Sequence, residues 1–420
     1  MITTINNEHK KLNAPNLRFP EFQGEWEKCK LGNIANITGG YAFKSDTLNS
    51  IGGKYQVVKM GNLYQNQLDL HRSPSYTDTL TRKAENVILR KDDIAITLTG
   101  TNNKRDFGYT YIFNDEKNLL LNQRCGLIRA KGNPYFLSCL LKTHTFLNQF
   151  FESATGGTGN QANVSTKAME MFSVNTPSLK EQEKIGQLMA LLDERIATQN
   201  KIIDKLQSLI KGMGDNLLDN PLWEKTYLRS FMQFFPTNSL SWEQLSYKEG
   251  AIRNLHYGLI HGLQTRRINS ASLPMIKNEA IPKQYTLCQV GDVAFADASE
   301  DTGEIAKSVE FVDTIEGDTI CGLHTIHGRD IKNRTVVGFK GFAFNSRYFH
   351  NQIKRLAQGT KVFSITANNL SSCYVYLPDL ETQKAIVKLL KAYEEKLLVS
   401  KRLLEHYEKQ KQYLLRQMFI

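Results

Sequence analysis

Residues 176–185 read Thr176-Pro177-Ser178-Leu179-Lys180-Glu181-Gln182-Glu183-Lys184-Ile185, and residues 377–386 read Leu377-Pro378-Asp379-Leu380-Glu381-Thr382-Gln383-Lys384-Ala385-Ile386. Pro177 meets Pro378, Leu179 meets Leu380, Gln182 meets Gln383, Ile185 meets Ile386 and Leu188 meets Leu389. Each stretch opens a long amphipathic run. After Pro177, apolar residues fall at Ile185, Leu188, Leu192, Ile196, Ile203, Leu206, Ile210 and Met213, with Gln199 in the one gap. After Pro378 they fall at Ile386, Leu389, Tyr393, Leu397, Leu404, Tyr407 and Leu414. Charges fill the spaces and no proline interrupts, so both runs read as helices with a narrow apolar seam. The prolines sit where a helix starts. Near-heptad spacing and matched length predict that the two helices pack on each other as a coiled coil.

Working outward, the doubling continues. Gly157-Thr158 is matched by Gly359-Thr360, and Asn163-Val164-Ser165 by Ser364-Ile365-Thr366. Cys125-Gly126-Leu127 has a likeness in Cys321-Gly322-Leu323, and Asp93-Ile94-Ala95 in Asp292-Val293-Ala294. Trp26 precedes Gly39-Gly40, as Trp242 precedes Gly258. The chain therefore divides into an extension (1–19), a globular part (20–178), a helix (179–217), a second globular part (218–377) and a second helix (378–420). Short β-branched and aromatic runs at 93–98, 109–113 and 292–295 read as strands. Helices are expected at 134–151 and 345–357, so each globular part is α+β.

With 420 residues the chain has room for two or three domains. Hydrophobic residues at 41% exclude a disordered chain. No apolar run reaches the roughly 18 residues of a membrane span, and the polar first residues do not read as a signal peptide. Cysteines at 29, 125, 139, 288, 321 and 373 form no CxxC pair, which suits reduced thiols and a cytoplasmic location. The net charge of +11 is spread thinly, so any nucleic-acid contact is made by shaped surfaces and not a basic tail.

Motifs of catalysis are missing. Gly52-Gly53-Lys54 runs into Tyr55 and lacks phosphate-loop spacing. Asn133-Pro134-Tyr135 lacks the second proline of an adenine-methylating turn, and reads as a helix N-terminus. Asp379 and Glu381 fall on a helix start, where acids favour the dipole. Cys321, His324 and His327 bring zinc to mind, but the matching Cys125, Ile128 and Lys131 do not repeat the set, and no metal site is expected.

Leu17-Arg18-Phe19-Pro20-Glu21-Phe22 followed by Trp26, with the doubled Pro-x-Leu-x-x-Gln-x-x-Ile opening two long helices, resembles the specificity subunits of type I restriction–modification enzymes. The resemblance spans nearly the whole chain. It implies a non-catalytic subunit with two similar target-recognition domains, separated by two helices packed as an antiparallel coiled coil in pseudo-twofold arrangement. It implies partners: double-stranded DNA, two modification subunits that methylate adenine N6, and two restriction subunits that cleave. S-adenosylmethionine, ATP and Mg would belong to those partners and no cofactor to this chain. A self-sufficient methyltransferase or nuclease with diverged motifs, and a coiled-coil protein-binding scaffold, are the competing readings.

DNA-contacting candidates come from glycine- and amide-bearing loops with neighbouring cations. In the first half they are Gly40, Tyr41 and Lys44; Thr101, Asn102, Asn103, Lys104 and Arg105; and Thr158, Asn160 and Gln161. In the second half they are His261, in a loop matched to Gly40–Lys44 by its glycines, with Arg266 and Arg267, and Thr360 and Lys361.

Overall fold

A computed structural model describes residues 3–4, 13–101, 103–156, 160–263, 265–313, 315 and 317–420. The chain forms two compact units, Met1–Gln199 with Leu403–Ile420, and Asn200–Arg402. Each is α+β, and the two are built on one plan.

In unit 1 a four-stranded antiparallel sheet runs in the order Thr110–Ile112, Ile94–Thr97, Cys125–Ala130, Ala35–Gly39. In unit 2 the order is Ser308–Glu310, Val293–Ala296, Thr325–Asp330, Met232–Phe235. Beside it, Tyr55–Val58 pairs in parallel with Leu119–Leu121, as Arg253–Leu255 does with Thr319–Cys321. A two-stranded ribbon closes each head just before its long helix: Glu27–Lys30 with Ser173–Thr176, and Glu224–Tyr227 with Tyr374–Leu377.

This register corrects two sequence matches. Trp26 precedes Glu27–Lys30 and its counterpart is Trp223, which precedes Glu224–Tyr227. Trp242 instead opens a short helical turn inside unit 2. The loop after Gly39 therefore does not correspond to the helix Tyr257–Gly262. Likewise Cys125 starts the strand that matches Thr325–Asp330, whereas Cys321 ends the strand that matches Leu119–Leu121. A shared Cys-Gly pair is weak beside strand pairing, because a slip of register moves every side chain to the other face.

The Asp93 and Asp292 match does hold, and side-chain chemistry explains it. Arg129 forks onto Asp93 through Nε (2.8 Å) and Nη2 (3.0 Å), and Nη2 also donates to the Ile88 carbonyl. Arg329 forks onto Asp292 at 2.8 and 2.7 Å and donates to the Leu287 carbonyl. In both, the aspartate caps the turn before its strand by accepting from the amide three residues back. That turn needs positive φ, supplied by Asp92 (68°) and Gly291 (91°).

The long helices run Leu179–Leu218 and Leu380–Gln417, 40 and 38 residues, or about 60 and 57 Å at 1.5 Å per residue. The repeated glutamine accounts for their shared opening. Gln182 Nε2 donates to Thr176 Oγ1 and the Pro177 carbonyl. Gln383 Nε2 donates to the Pro378 and Arg334 carbonyls, while its Oε1 accepts from Val336 N. Each glutamine thus locks the helix start onto its own head. In unit 1, Ile185, Met189 and Leu192 share a core with Leu414, Met418 and Phe419, and Lys411 pairs with Asp193. In unit 2, Leu218 shares a core with Ile386 and Leu390. Early first helix meets late second helix in unit 1, and the reverse holds in unit 2, so the pair is antiparallel.

Three expectations shift. The helix expected at 134–151 is two, Pro134–Leu140 and His144–Glu152, because the Thr143 hydroxyl caps a new start by accepting from Phe146 N. Leu389 is 41% exposed, and the seam instead runs Ile386, Leu390, Glu394, Leu397 and Ser400. Glu394 can occupy an apolar stripe because Arg266 and Arg267 neutralise it, and that polar member hid the true phase. Finally, the compact units divide both helices, since the seam residues complete each head's core and do not form a separate layer.

The opening Leu17-Arg18-Phe19 is bound to unit 1. Arg18 grips Glu181 with two 2.7 Å bonds, both side chains buried, and Trp26 Nε1 donates to the same carboxylate.

Candidate nucleic-acid interface

In the first half two of the three candidate loops come together, and in the second half the Thr360–Lys361 turn joins a strand that carried no candidate. In unit 1, Thr99–Thr101 pairs antiparallel with Gln161–Asn163, Thr101 opposite Gln161, and Thr155–Gly156 adds a third strand. In unit 2, Ala298–Ser299 pairs with Phe363–Ser364, and Gln358 bridges Ser364. Each head therefore carries a short ribbon made from the loop after its central strand and the loop before its last helix. Hairpin loops of this kind tolerate change because they stand outside the packed sheets.

The unit 1 ribbon presents Asn103, Lys104, Arg105, Asn160 and Gln161 on its surface. Asn103 has a φ of 58°, a left-handed conformation that asparagine tolerates. Thr101 is half-buried, and its hydroxyl and amide both donate to Asp106. Burial pushes the Asp106 carboxyl up, but those two donors, with its own backbone amide and the charge of Lys104, together hold the group below its ordinary value. Arg105 lies over the Phe151 ring and donates to Asn148, which fixes its guanidinium at the ribbon's base. Asn102 and Thr158 lie outside the described residues.

Beside this ribbon is a feature the sequence reading missed. Leu63–Tyr64 and Gln67–Leu68 form a hairpin whose turn residues, Gln65 and Asn66, both have positive φ. Tyr64 is 51% exposed, packs edge-on against Tyr109, and carries Arg72 above its ring. Burial, with Tyr64 and Asp106 close by, pushes the Tyr109 hydroxyl up. The Gln-Asn turn between Leu63-Tyr64 and Gln67-Leu68 was the available signal, though it lacks the glycine that usually marks such a turn.

Gly40 and Tyr41 serve packing. A Cβ at Gly40 would lie 2.1 Å from the Asn122 carbonyl oxygen, and Tyr41 bridges Asn122 while packing on Phe43. Lys44 is exposed.

In unit 2, Thr360 and Lys361 are exposed at the turn between Gln358 and Phe363. His261 reaches this ribbon: Nε2 is 3.1 Å from the Ala298 carbonyl, and Nδ1 faces Glu304. Arg266 and Arg267 turn elsewhere. Arg266 bonds Glu394 at 3.0 Å, and Arg267 lies between Glu394 and Glu395, so both brace the second long helix. Of the three residues weighed for zinc, His324 is exposed and faces Asp297, while Cys321 and His327 are buried in the head with Cys288.

A family model described as the type I restriction modification DNA specificity domain matches residues 23–208 and 318–408. The putative type I restriction enzyme MjaX specificity subunit of Methanocaldococcus jannaschii is 23% identical, over 96% of this chain and 95% of that one. The type I restriction enzyme EcoAI specificity subunit of Escherichia coli is 28% identical over 42% of this chain and 29% of its own. Among solved structures, the type I restriction–modification system S subunit from M. genitalium shares the fold, with a TM-score of 0.61 at 14% identity, covering 97% of this chain and 99% of that one. No helix among the described residues is long and apolar enough to cross a membrane. With two heads on one plan, two antiparallel helices and a family model matching both, this chain belongs to the type I restriction–modification DNA specificity subunits, the non-catalytic DNA-recognition members of those systems.

Proposed function

We propose that each head reads one half of a split site in double-stranded DNA, and that the long helices set the length of unread sequence between the halves. The observation that carries this is the ribbon built twice in one frame from different side chains. Unit 1 offers amides and cations, while unit 2 offers Thr360 and Lys361 beside an acidic Ser299-Glu300-Asp301 turn. One scaffold with two unlike reading edges is what a bipartite, asymmetric site requires.

In this reading Asn160 and Gln161, with Asn102 and Asn103, supply amide forks for base edges. Lys44, Lys104, Arg105 and Lys361 hold phosphates. Thr101, Thr360 and His261 shape the two ribbons, Thr158 is a further contact candidate, and Gly40 and Tyr41 support the strand ends by packing. Arg266 and Arg267 act through the helix and not on DNA. Two modification subunits, using S-adenosylmethionine, would methylate adenine N6 at the site, and two restriction subunits, using ATP and Mg, would cleave. The assembly would work in the cytoplasm.

The test is equilibrium binding by the assembled modification complex across a salt series. Lys104→Ala should weaken all duplexes alike and reduce the salt slope by about one. Gln161→Ala should cost about 1–3 kcal/mol at one base position and relax preference there. If neither substitution changes binding or preference, the ribbon is not the reading edge.

A further inference from the structure

We propose that unit 2 holds a buried structural zinc ion on Cys288, Cys321 and His327. The thiol sulfurs of Cys288 and Cys321 are 3.6 Å apart, and the ligand atoms of all three residues lie within 4.8 Å of one another, fully inside the head. Two thiolates on one tetrahedral zinc, each bonded at about 2.3 Å, are separated by about 3.8 Å. A disulfide would bring the sulfurs to about 2.05 Å. The spacing found is that of two thiols in contact, and an opening of about 0.2 Å would reach the metal-bridged value.

The imidazole is held by a carboxylate, as metal-bound histidines are. His327 Nε2 lies 2.7 Å from Asp292 Oδ2, and Phe235 packs against the ring. A carboxylate holding one ring nitrogen fixes the tautomer and leaves the other nitrogen for metal. Arg329 in turn holds Asp292 in place.

The internal repeat makes the case specific. Strand register sets Cys321 against Leu121 and His327 against Leu127 of unit 1. The carbonyls of Ile88 and Leu287 receive the same arginine bond, which sets Cys288 against Leu89. Leu89, Leu121 and Leu127 lie together in one apolar core of unit 1. Three leucines of one apolar core in one head are thus two cysteines and a histidine in the other. The plan folds with an apolar trio, so packing alone does not call for the polar one. Thr319, two residues before Cys321 on its strand, matches Leu119, and its buried hydroxyl has no hydrogen-bond partner. A hydroxyl there can donate to a metal-bound thiolate.

Two thiolates balance the charge of Zn²⁺, so the set is neutral inside the head, which lowers the cost of burial. Soft sulfur with imidazole suits zinc over magnesium or calcium. A cavity of about 400 Å³ lined by Asn238, Tyr285, Thr286 and Cys321 borders one of the three ligand residues, and a water entering from that side would fill the fourth position. The ion would join the strands Thr319–Cys321 and Thr325–Asp330 to the Cys288 turn, and so brace the head that carries Thr360 and Lys361.

The test uses the untagged full-length chain purified without added metal. Elemental analysis should find one zinc per chain, and Co²⁺ exchanged in its place should show thiolate charge-transfer absorption with tetrahedral bands. The triple variant Cys288→Leu, Cys321→Leu, His327→Leu, which copies unit 1, should lose the metal and keep native circular dichroism. Cys288→Ser alone should shift or abolish the cobalt spectrum, so the result stands even if the triple variant misfolds. The proposal fails if the wild-type chain neither holds zinc nor takes up Co²⁺ with thiolate absorption. It fails also if the metal-free chain carries a Cys288–Cys321 disulfide, or if Cys288→Ser leaves the spectrum unchanged.

Discussion

Lys340 and Glu310 form an ion pair inside unit 2, with side chains 2% and 0% exposed and a 3.0 Å contact. The carboxylate also accepts from Gly338 N and Gly341 N, at 2.9 and 2.7 Å. Burial pushes the Glu310 carboxyl up from its ordinary 4.5, and Lys340 works against that rise. Lys340→Met removes the opposing charge and keeps the volume. Breaking a buried pair on one side costs about 3–5 kcal/mol. The cost has a ceiling, because Glu310 can take a proton instead. Holding it neutral at pH 7, against an unfolded glutamate of 4.5, costs about 3.4 kcal/mol at 1.36 kcal/mol per unit. The expected loss is therefore about 3 kcal/mol at pH 7. The sign follows from linkage: with the folded value raised, the folded state binds the extra proton, so the penalty grows with rising pH and fades as pH falls toward the unfolded value. Urea unfolding of the variant and wild type from pH 5 to 7.5, with hydrogen exchange over 338–341 to assign the loss to unit 2, reads both. Adding Glu310→Gln should recover much of the loss and flatten the pH slope. A cost below about 1 kcal/mol at pH 7, or one independent of pH, would refute the reasoning.

Gln383→Ala should strand the Val336 amide and two carbonyls at the second helix's start; only the Pro378 bond is fully buried, so the expected cost by urea unfolding is about 1–3 kcal/mol, the value for one buried orphan. Phe419→Ala should cost about 3–5 kcal/mol in unit 1, since Phe419 is 6% exposed and packs on Phe136 and Trp26; altered tryptophan fluorescence should accompany the loss. The Asp379 carboxylate caps the second helix by accepting from the Thr382 amide and hydroxyl, which hold it below its ordinary 3.8. Its contribution is present above that value and is lost as pH falls through the lowered one, so Asp379→Asn should remove a small acid-side slope in a pH series of melting curves.

The helices and the doubling were legible because they rest on local rules. Proline starts the helix, the glutamine five residues on returns to its carbonyl, and charges keep the seam narrow. The Asp93 and Asp292 match was legible because one aspartate both caps a turn and receives an arginine. What failed needed tertiary knowledge. Trp242 looked like the partner of Trp26 by its glycine neighbourhood, but strand pairing sets Trp223 there. Leu389 looked like seam, but Glu394 on the seam is made possible by two arginines more than a hundred residues earlier in the chain. Those same arginines read in the sequence as a basic pair, and their acidic partners on the helix are not visible there. The pairing of the candidate loops into ribbons depends on long-range strand register, which spacing alone does not report. Cys288 escaped for a similar reason, lying far in sequence from the Cys321 and His327 it meets.

The central claim is that two unlike heads on antiparallel helices direct methylation to a split site. The most direct measurement is sequencing of N6-methyladenine in the genome of a host carrying the matching modification subunit, with and without this chain. The account predicts a new motif of two short specified halves around a fixed unread gap, and a gap that lengthens when one turn is inserted into both long helices. Methylation that appears in no such motif while the complex assembles, or that appears without this chain, would contradict it.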